Sequence, residues 1–385
     1  MGKKILMVGD SPYAYSGFAR VMREIANGFH NTDHEVKVVG WCYGGTKDEL
    51  PYQVYSSIDQ RGDYYGVQVT KMLLDTWKPD ILFSLGDIWM IDWITKLDKK
   101  DTKWVAYFPI DGVPLPNKWI PIINNIDVPV VYSKFAYNLL KEAIPYKNIE
   151  LILHGVDTET FKGLPQNEVE EFKNKLGLGG KYIVGNVSRN QWRKNLPALF
   201  RGFADFAEDK DDVLLFYHGV VKDQGWDILD LVDRYNLQDK FYYIPGMSSK
   251  VALPNEQLNM VYNLFDLMCL ATHGEGFGLP IAEAHAVGKP ILVTDYSACT
   301  ELTVDKKELI AVNDYYCPPI VLNPDKDVNI DYALVDNYDL VTKLNWHYNN
   351  KEESKKIGQL GKEDVLKNYL WKDNVQEFVN LIERI

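Results

Sequence analysis

Cysteine is scarce in this chain, with four in 385 residues at positions 42, 269, 299 and 317. No two form a CxxC pair, so neither a zinc ribbon nor a thioredoxin-type redox centre has support. Scattered reduced thiols fit a reducing, cytoplasmic compartment. Long apolar runs are missing as well. The stretch Ile5-Leu6-Met7-Val8-Gly9 behind Lys3-Lys4 imitates a signal peptide, but it falls short of a h-region of roughly 7–15 residues and reads better as a buried first strand. Nothing approaches the roughly 18 apolar residues of a membrane span, and Leu6 breaks the myristoylation pattern. Excess positive charge is absent too: 42 basic against 54 acidic residues gives −12. An acidic surface of that size repels polyanions at long range, which argues against a nucleic-acid coat.

What is present is ordinary globular composition, with 46% hydrophobic, 25% charged and 13% aromatic residues. The length corresponds to two or three domains at about 150 residues each. Short apolar runs alternate with amphipathic stretches. Lys4–Gly9, Glu35–Gly40, Pro79–Leu85, Lys103–Phe108, Val128–Tyr132 and Glu150–Leu153 read as strands, with helices at Gly17–Phe29, Asp63–Trp77, Ile91–Leu97 and Phe135–Ala143. The alternation resumes at Lys181–Val187, Asp212–Tyr217, Lys240–Ile244, Leu267–Leu270 and Pro290–Thr294 for strands. Its helices are Pro197–Ala207, Gly225–Tyr235, Asn255–Asn263 and Pro280–Ala286. Alternating strands and helices make parallel sheets covered on both faces. We expect two Rossmann-like α/β domains facing across a cleft. Residues 1–160 would form the first, with about 370–385 returning to it as a closing helix, and residues 161–369 the second. A single (β/α)₈ barrel is the structural alternative. Tyr338–Ile385 is helical in pattern, with breaks near Asn345–Asn350 and Tyr369–Trp371.

The most informative stretch runs Thr272-His273-Gly274-Glu275-Gly276-Phe277-Gly278-Leu279-Pro280-Ile281-Ala282-Glu283. It follows a strand and ends in a helix whose first position suits Pro280. The glycine turn presents a helix N-terminus at the carboxyl end of a strand, where backbone N–H groups favour a phosphate. Glu275 and Glu283 bring two carboxylates, each able to accept several hydroxyl hydrogen bonds. A plain glycine turn with one solvated Glu is the bland alternative.

Glu275 and Glu283 form an E-x7-E pattern, and the stretch from Glu275 to Asp295 resembles the retaining glycosyltransferases of family 4, with the GT-B fold. Arg189 and Lys194, after the first strand of the second domain, resemble that family's Arg…Lys pair. Ser16-Gly17 resembles its glycine loop, His154-Gly155-Val156-Asp157 its motif before the interdomain linker, and Trp371 the aromatic ahead of its closing helix. The resemblance implies a sugar moved from a nucleoside-diphosphate sugar, UDP- or GDP-linked, to a hydroxyl acceptor with retention of configuration, without metal or other cofactor. Arg189 and Lys194 would hold the diphosphate and stabilise it as it leaves. Glu275 would contact the donor sugar and Glu283 the ribose. The backbone of Gly276, Phe277, Gly278 and Leu279 would line the donor, and Gly17 would allow close backbone approach. His218 and His273 are candidate phosphate contacts or ordinary packing residues.

Many members of that family carry a His where this chain has Tyr107-Phe108-Pro109-Ile110-Asp111-Gly112. Asp111 is the nearest polar candidate; it would bind a sugar hydroxyl, accept the acceptor's proton, or tighten an Asp-Gly turn. Glu301 lacks the glycines expected before it. Asp209-Lys210-Asp211 and Asp325-Lys326-Asp327 are DxD triplets that read as solvated turns, and His30 and His34 as a surface pair at a helix end. A nucleotide-sugar epimerase or hydrolase on the same fold, and a non-catalytic nucleotide-sugar binder, are the rival functions. The first domain is rich in aromatics, among them Tyr13, Tyr15, Trp41, Tyr43, Tyr64, Tyr65, Trp89, Trp93 and Trp119. A glycan, a lipid-linked sugar, a small molecule and a modified nucleobase all stay open as acceptors.

Overall fold

The computed structural model describes residues 2–41, 49–57, 62–248, 251–317 and 330–385. Cys42, Tyr43 and the triplet Asp325-Lys326-Asp327 lie outside them. The chain divides into two compact units, Met1–Gly155 with Asn323–Ile330 and Trp371–Ile385, and Val156–Leu322 with Asp331–Leu370.

The first unit is built on β1 (Lys4–Asp10), β2 (Glu35–Trp41), β3 (Gln53–Ser56), β4 (Ile81–Leu85), β5 (Lys103–Phe108), β6 (Val128–Val131) and β7 (Glu150–Leu151). All pair in parallel, in the order β3-β2-β1-β4-β5-β6-β7. Its helices are α1 (Gly17–His30), α2 (Val67–Thr76), α3 (Ile88–Ile91), α4 (Trp119–Asn125) and α5 (Lys134–Ala143). Ile5 to Val8 of β1 are fully buried, as a strand covered on both faces must be. In α1 the buried residues Val21, Met22, Ile25 and Phe29 recur at helical spacing. Ser16 caps α1, its Oγ accepting from Ala19 N at 3.0 Å.

The second unit opens with α6 (Gln166–Lys175) and repeats the plan with β8 (Tyr182–Val187), α7 (Leu196–Ala207), β9 (Val213–His218), α8 (Ile228–Arg234), β10 (Phe241–Tyr243), α9 (Asn255–Leu264), β11 (Leu267–Leu270), α10 (Leu279–Val287), β12 (Ile291–Thr294) and β13 (Leu309–Ile310). The strand order is β10-β9-β8-β11-β12-β13, again all parallel. β14 (Val312–Tyr316) and β15 (Tyr332–Val335) then pair antiparallel as a separate ribbon, followed by α11 (Asn337–Asn349) and α12 (Lys351–Asn368). The core gathers Leu199, Phe200, Phe203 and Phe206 of α7 under Val184, Leu215 and Cys269 of the sheet.

The final helix, α13 (Trp371–Arg384), belongs to the first unit. Its Phe378 is fully buried, with ring centroids 4.8 Å from Tyr107, 5.5 Å from Phe83 and 6.4 Å from Phe29. Both sheets are open and doubly wound, so the barrel alternative does not hold. One local expectation is also corrected. α1 ends at His30, and His34 sits beyond it, accepting from Lys3 N through Nδ1 at 3.0 Å. The two histidines are therefore no helix-end pair.

Candidate active site

In an open doubly wound sheet, ligands sit at the carboxyl ends of the strands where the strand order reverses. In the second unit that point lies between β8 and β11, which are hydrogen-bonded neighbours. The segment after β8 carries Arg189, Arg193 and Lys194; the segment after β11 carries His273, Glu275 and the glycine turn. Topology alone therefore brings the two sequence motifs together.

The side chains meet at Glu275. Its Oε1 lies 2.5 Å from Lys194 Nζ and its Oε2 lies 3.1 Å from Arg193 NH1. Glu275 and Lys194 are buried, and the side chain of Arg193 is one-quarter exposed. Burial by itself would raise the Glu275 pKa, but Lys194 and Arg193 overcome it and hold the carboxyl down at about 2. Burial pulls the Lys194 ammonium below its ordinary value, and Arg193 pushes the same way. Two cations share one carboxylate, so these three groups sum to +1. A buried surplus of positive charge is the complement of a phosphate or diphosphate. The Lys194 ammonium also offers three donors, and Glu275 takes one.

The backbone of Glu275 is pinned as firmly as its side chain. Ser297, after β12, accepts from Glu275 N at 2.9 Å and donates to Glu275 O at 3.1 Å. Ala298 N also reaches Glu275 O, at 3.3 Å. Ser297 adopts a left-handed φ of 52° to do so, a conformation uncommon outside glycine. On the other side Lys194 ends a 3₁₀ turn (Trp192–Lys194), closed by Asn195 at φ 47° ahead of α7. Fully buried Asn190 holds the approach to that turn, donating to Trp226 O at 2.6 Å and accepting from Trp226 N at 2.9 Å.

Gly278 caps α10 with φ 104°, which opens the helix at Leu279 and places Pro280 second rather than first. The N–H groups of Gly278 and Leu279 lie ahead of any intrahelical acceptor. Gly276 is partly exposed and Phe277 is buried against Tyr369. Glu283 sits inside α10, buried, accepting from Tyr262 Oη at 2.7 Å. Arg189 has a half-exposed side chain and donates through Nε to Asp223 at 2.8 Å; it is not part of the Glu275 cluster. His218, at the end of β9, is kept neutral by burial, with its pKa pushed down to about 4. His273 uses both ring nitrogens inside the protein, Nδ1 on Ala333 O at 2.7 Å and Nε2 on Tyr316 Oη at 3.3 Å.

In the first unit, Ser16 Oγ donates to Asp10 Oδ2 at the end of β1, and Gly17 begins α1 beside it. Asp111 lies on the loop after β5 and is half-buried. His154 is buried, stacked on Tyr132 at 3.9 Å and bonded through Nδ1 to Tyr107 Oη at 2.8 Å. Asp157 accepts from Glu159 N and Thr160 N at 3.2 and 3.1 Å, a turn-forming use. Glu301 lies in a 3₁₀ segment (Ser297–Leu302). Asp209 pairs with its neighbour Lys210 at 2.5 Å and is exposed. Among the described residues no three His, Cys, Asp or Glu side chains are grouped to hold a metal.

Arg193 and Ser297 are the members of the cluster that sequence reasoning passed over. For Arg193 a signal existed: two adjacent cations on a tight turn can both reach one carboxylate. Ser297 has no such signal, because its role depends on a backbone conformation.

Residues 168–320 match the family described as Glycosyl transferases group 1. The chain is 27% identical over 214 residues to an alpha-galactosylglucosyldiacylglycerol synthase of Streptococcus pneumoniae, covering 51% of this chain and 54% of that protein. It is 22% identical over 268 residues to an uncharacterized glycosyltransferase of Methanocaldococcus jannaschii, covering 69% and 60%. The chain thus matches little more than half the length of these relatives. Among solved structures, a sucrose-phosphate synthase from Thermosynechococcus elongatus superposes with TM-score 0.80 at 16% identity, over 99% of this chain and 98% of that one. The Anabaena HepE structure in complex with UDP-glucose gives 0.74 at 13% identity, with each chain fully covered. The fold is that of GT-B glycosyltransferase structures, and within it residues 168–320 match the glycosyl transferases group 1 family.

Proposed function

We propose that this protein moves a sugar from a nucleoside-diphosphate sugar to a hydroxyl acceptor, with retention of configuration. The observation that carries the reading is the cluster of Glu275 between Arg193 and Lys194 at the switch point of the second sheet. Breaking a bond to a nucleoside diphosphate builds negative charge on the leaving phosphate. Fixed cations where that charge develops lower the barrier. Lys194 supplies a point charge with two donors to spare, and Arg193 a planar guanidinium. Arg189, on the same segment and half-exposed, would close on the diphosphate from the solvent side. The N–H groups of Gly278 and Leu279 would receive phosphate or sugar oxygens at the start of α10. Glu275 would orient the sugar hydroxyls and Glu283 the ribose.

In the first unit, Asp111 and the Ser16–Gly17 loop would meet the acceptor. Asp111 would act as hydroxyl ligand or proton acceptor there. Buried Cys269 and Cys299 support a reducing, cytoplasmic setting. No described helix is long and apolar enough to cross a membrane.

The test is a thermal-shift panel of UDP-, GDP-, ADP- and TDP-sugars with and without EDTA, followed by transfer assays on glycan, lipid-linked, small-molecule and nucleobase acceptors. One donor should raise Tm by mass action, equally with EDTA present, and the anomeric configuration of the product, read by NMR, should match the donor's. No shift with any nucleotide sugar sinks the reading. A shift that EDTA abolishes sinks the metal-free part of it.

A further inference from the structure

The β14–β15 ribbon interrupts the β/α alternation between β13 and α11, and it lies outside the parallel sheet. Its inner strand lies against the segment after β11. Ala333 N donates to His273 O at 3.0 Å, and His273 Nδ1 meets Ala333 O at 2.7 Å. A carbonyl only accepts, so Nδ1 carries the proton and Nε2 is left as the acceptor. Tyr316 Oη, from the opposite strand of the ribbon, donates to that Nε2 at 3.3 Å. The ring is also packed on its flanks. Trp192 lies tilted against it at 5.9 Å between centroids, Tyr316 meets it edge-on at 5.2 Å, and Tyr332 stands edge-on to Trp192 at 5.0 Å.

From His273 the bonding continues toward the buried carboxylate. His273 N donates to Arg193 O at 2.8 Å, and Thr272 Oγ1 donates to the same oxygen at 3.0 Å. The Arg193 guanidinium then holds Gly274 O at 3.2 Å and Glu275 Oε2 at 3.1 Å. Hydrogen bonds therefore run unbroken from Ala333 through His273 and Arg193 to Glu275. Each joins a different segment: the ribbon, the loop after β11 and the turn after β8. The ribbon thus anchors, from outside, a loop that is itself bonded to the Arg193 turn.

We infer that His273 is a positioning residue for the donor site, and that the β14–β15 ribbon exists to hold it. The inference rests on the donor reading above. With both ring nitrogens engaged, His273 serves the phosphate through Arg193 and does not touch it.

The experiment compares wild type with His273→Ala, His273→Asn and Tyr316→Phe. Each is measured for UDP, GDP, ADP and TDP dissociation constants by calorimetry, for kcat and KM separately, and for Tm. Asn carries an amide N–H where the histidine Nδ1–H stood, so it can still donate to Ala333 O. A catalytic turn displaced by about 1 Å loses on the order of 100-fold in rate. His273→Ala should therefore lower kcat by roughly that factor and weaken nucleotide binding about tenfold. His273→Asn should recover most of both, and Tyr316→Phe should give a several-fold loss. A folded His273→Ala with wild-type Kd and kcat overturns the inference, as does an Asn variant no better than Ala. If His273→Ala does not fold, an unchanged Tyr316→Phe overturns it. Wild-type protein that binds none of UDP, GDP, ADP and TDP overturns the donor reading itself, and the positioning role with it.

Discussion

Lys194 Nζ stands 2.5 Å from Glu275 Oε1, and both side chains are almost wholly withdrawn from solvent. A pair of this kind is a poor source of net stability, because desolvation offsets most of the attraction. Breaking it is costly all the same, because a charge is left buried without its partner. Glu275→Gln leaves Lys194 and Arg193 facing each other with no carboxylate. It should destabilise the fold by about 3–5 kcal/mol, seen as a lowered Tm. Adding UDP should recover more of that Tm in Glu275→Gln than in wild type, because the nucleotide restores negative charge to the cluster. Sugar transfer by the folded fraction should fall by at least about 100-fold.

The same carboxylate dictates an acid limb. Its pKa is held at about 2 in the fold, against 4.5 for an ordinary Glu. A depressed acid contributes stability that is complete above the unfolded value and is lost as pH falls through the folded one. Stability should therefore be flat through neutrality in this respect and decline between about pH 4.5 and 2. Glu275→Gln should remove that part of the decline, which chemical denaturation at stepped pH would measure. If wild type and Glu275→Gln lose stability in parallel over that window, the ion pair is not formed in solution.

Most of this architecture was legible because the chain alternates consistently. Buried parallel strands such as Lys103–Phe108 and Leu267–Leu270 are continuous apolar runs, and the observed bounds match them residue for residue. Part of what escaped lies at edges, although the helix α4 (Trp119–Asn125) escaped as well. β3 (Gln53–Ser56) and β14 (Val312–Tyr316) expose polar residues and show no buried face, so periodicity has nothing to detect. The site divides along the same line. Glu275 stood out in its glycine-rich motif, and Lys194 through the family resemblance. The ties to Ser297 and Ala333 were not, because each depends on a loop conformation that no residue pattern announces.

Gly155 offers a purely steric prediction. A Cβ at this position would lie 2.5 Å from Trp371 N and 2.6 Å from Trp371 Cα. Both are backbone atoms at the start of α13, so no rotamer change can relieve the clash. Gly155→Ala should push α13 away and loosen Phe378 from its contacts with Phe83 and Tyr107. The expected loss is at least that of overpacking a core, about 1–3 kcal/mol. Trimming the Trp371 ring with Trp371→Ala should not rescue it. Rescue by that second change would show that the indole, not the backbone, sets the limit.

Arg189 separates binding from folding. Its side chain is half-exposed, and its ion pair with Asp223 sits at the surface. Such pairs contribute about 0–1 kcal/mol, so Arg189→Ala should leave the denaturation midpoint nearly unchanged. If Arg189 closes on the diphosphate, the same substitution should weaken nucleotide binding by roughly tenfold or more, the 1.5–3 kcal/mol scale of a charge-assisted hydrogen bond. Arg189→Lys should recover the charge but not the bidentate geometry, and so only part of the affinity. Asp223→Asn sharpens the test: releasing Arg189 from its present partner should leave donor binding equal or tighter. Weaker binding in Asp223→Asn would mean that the pair, rather than the arginine alone, shapes the site, and unchanged binding in Arg189→Ala would remove Arg189 from the donor site altogether.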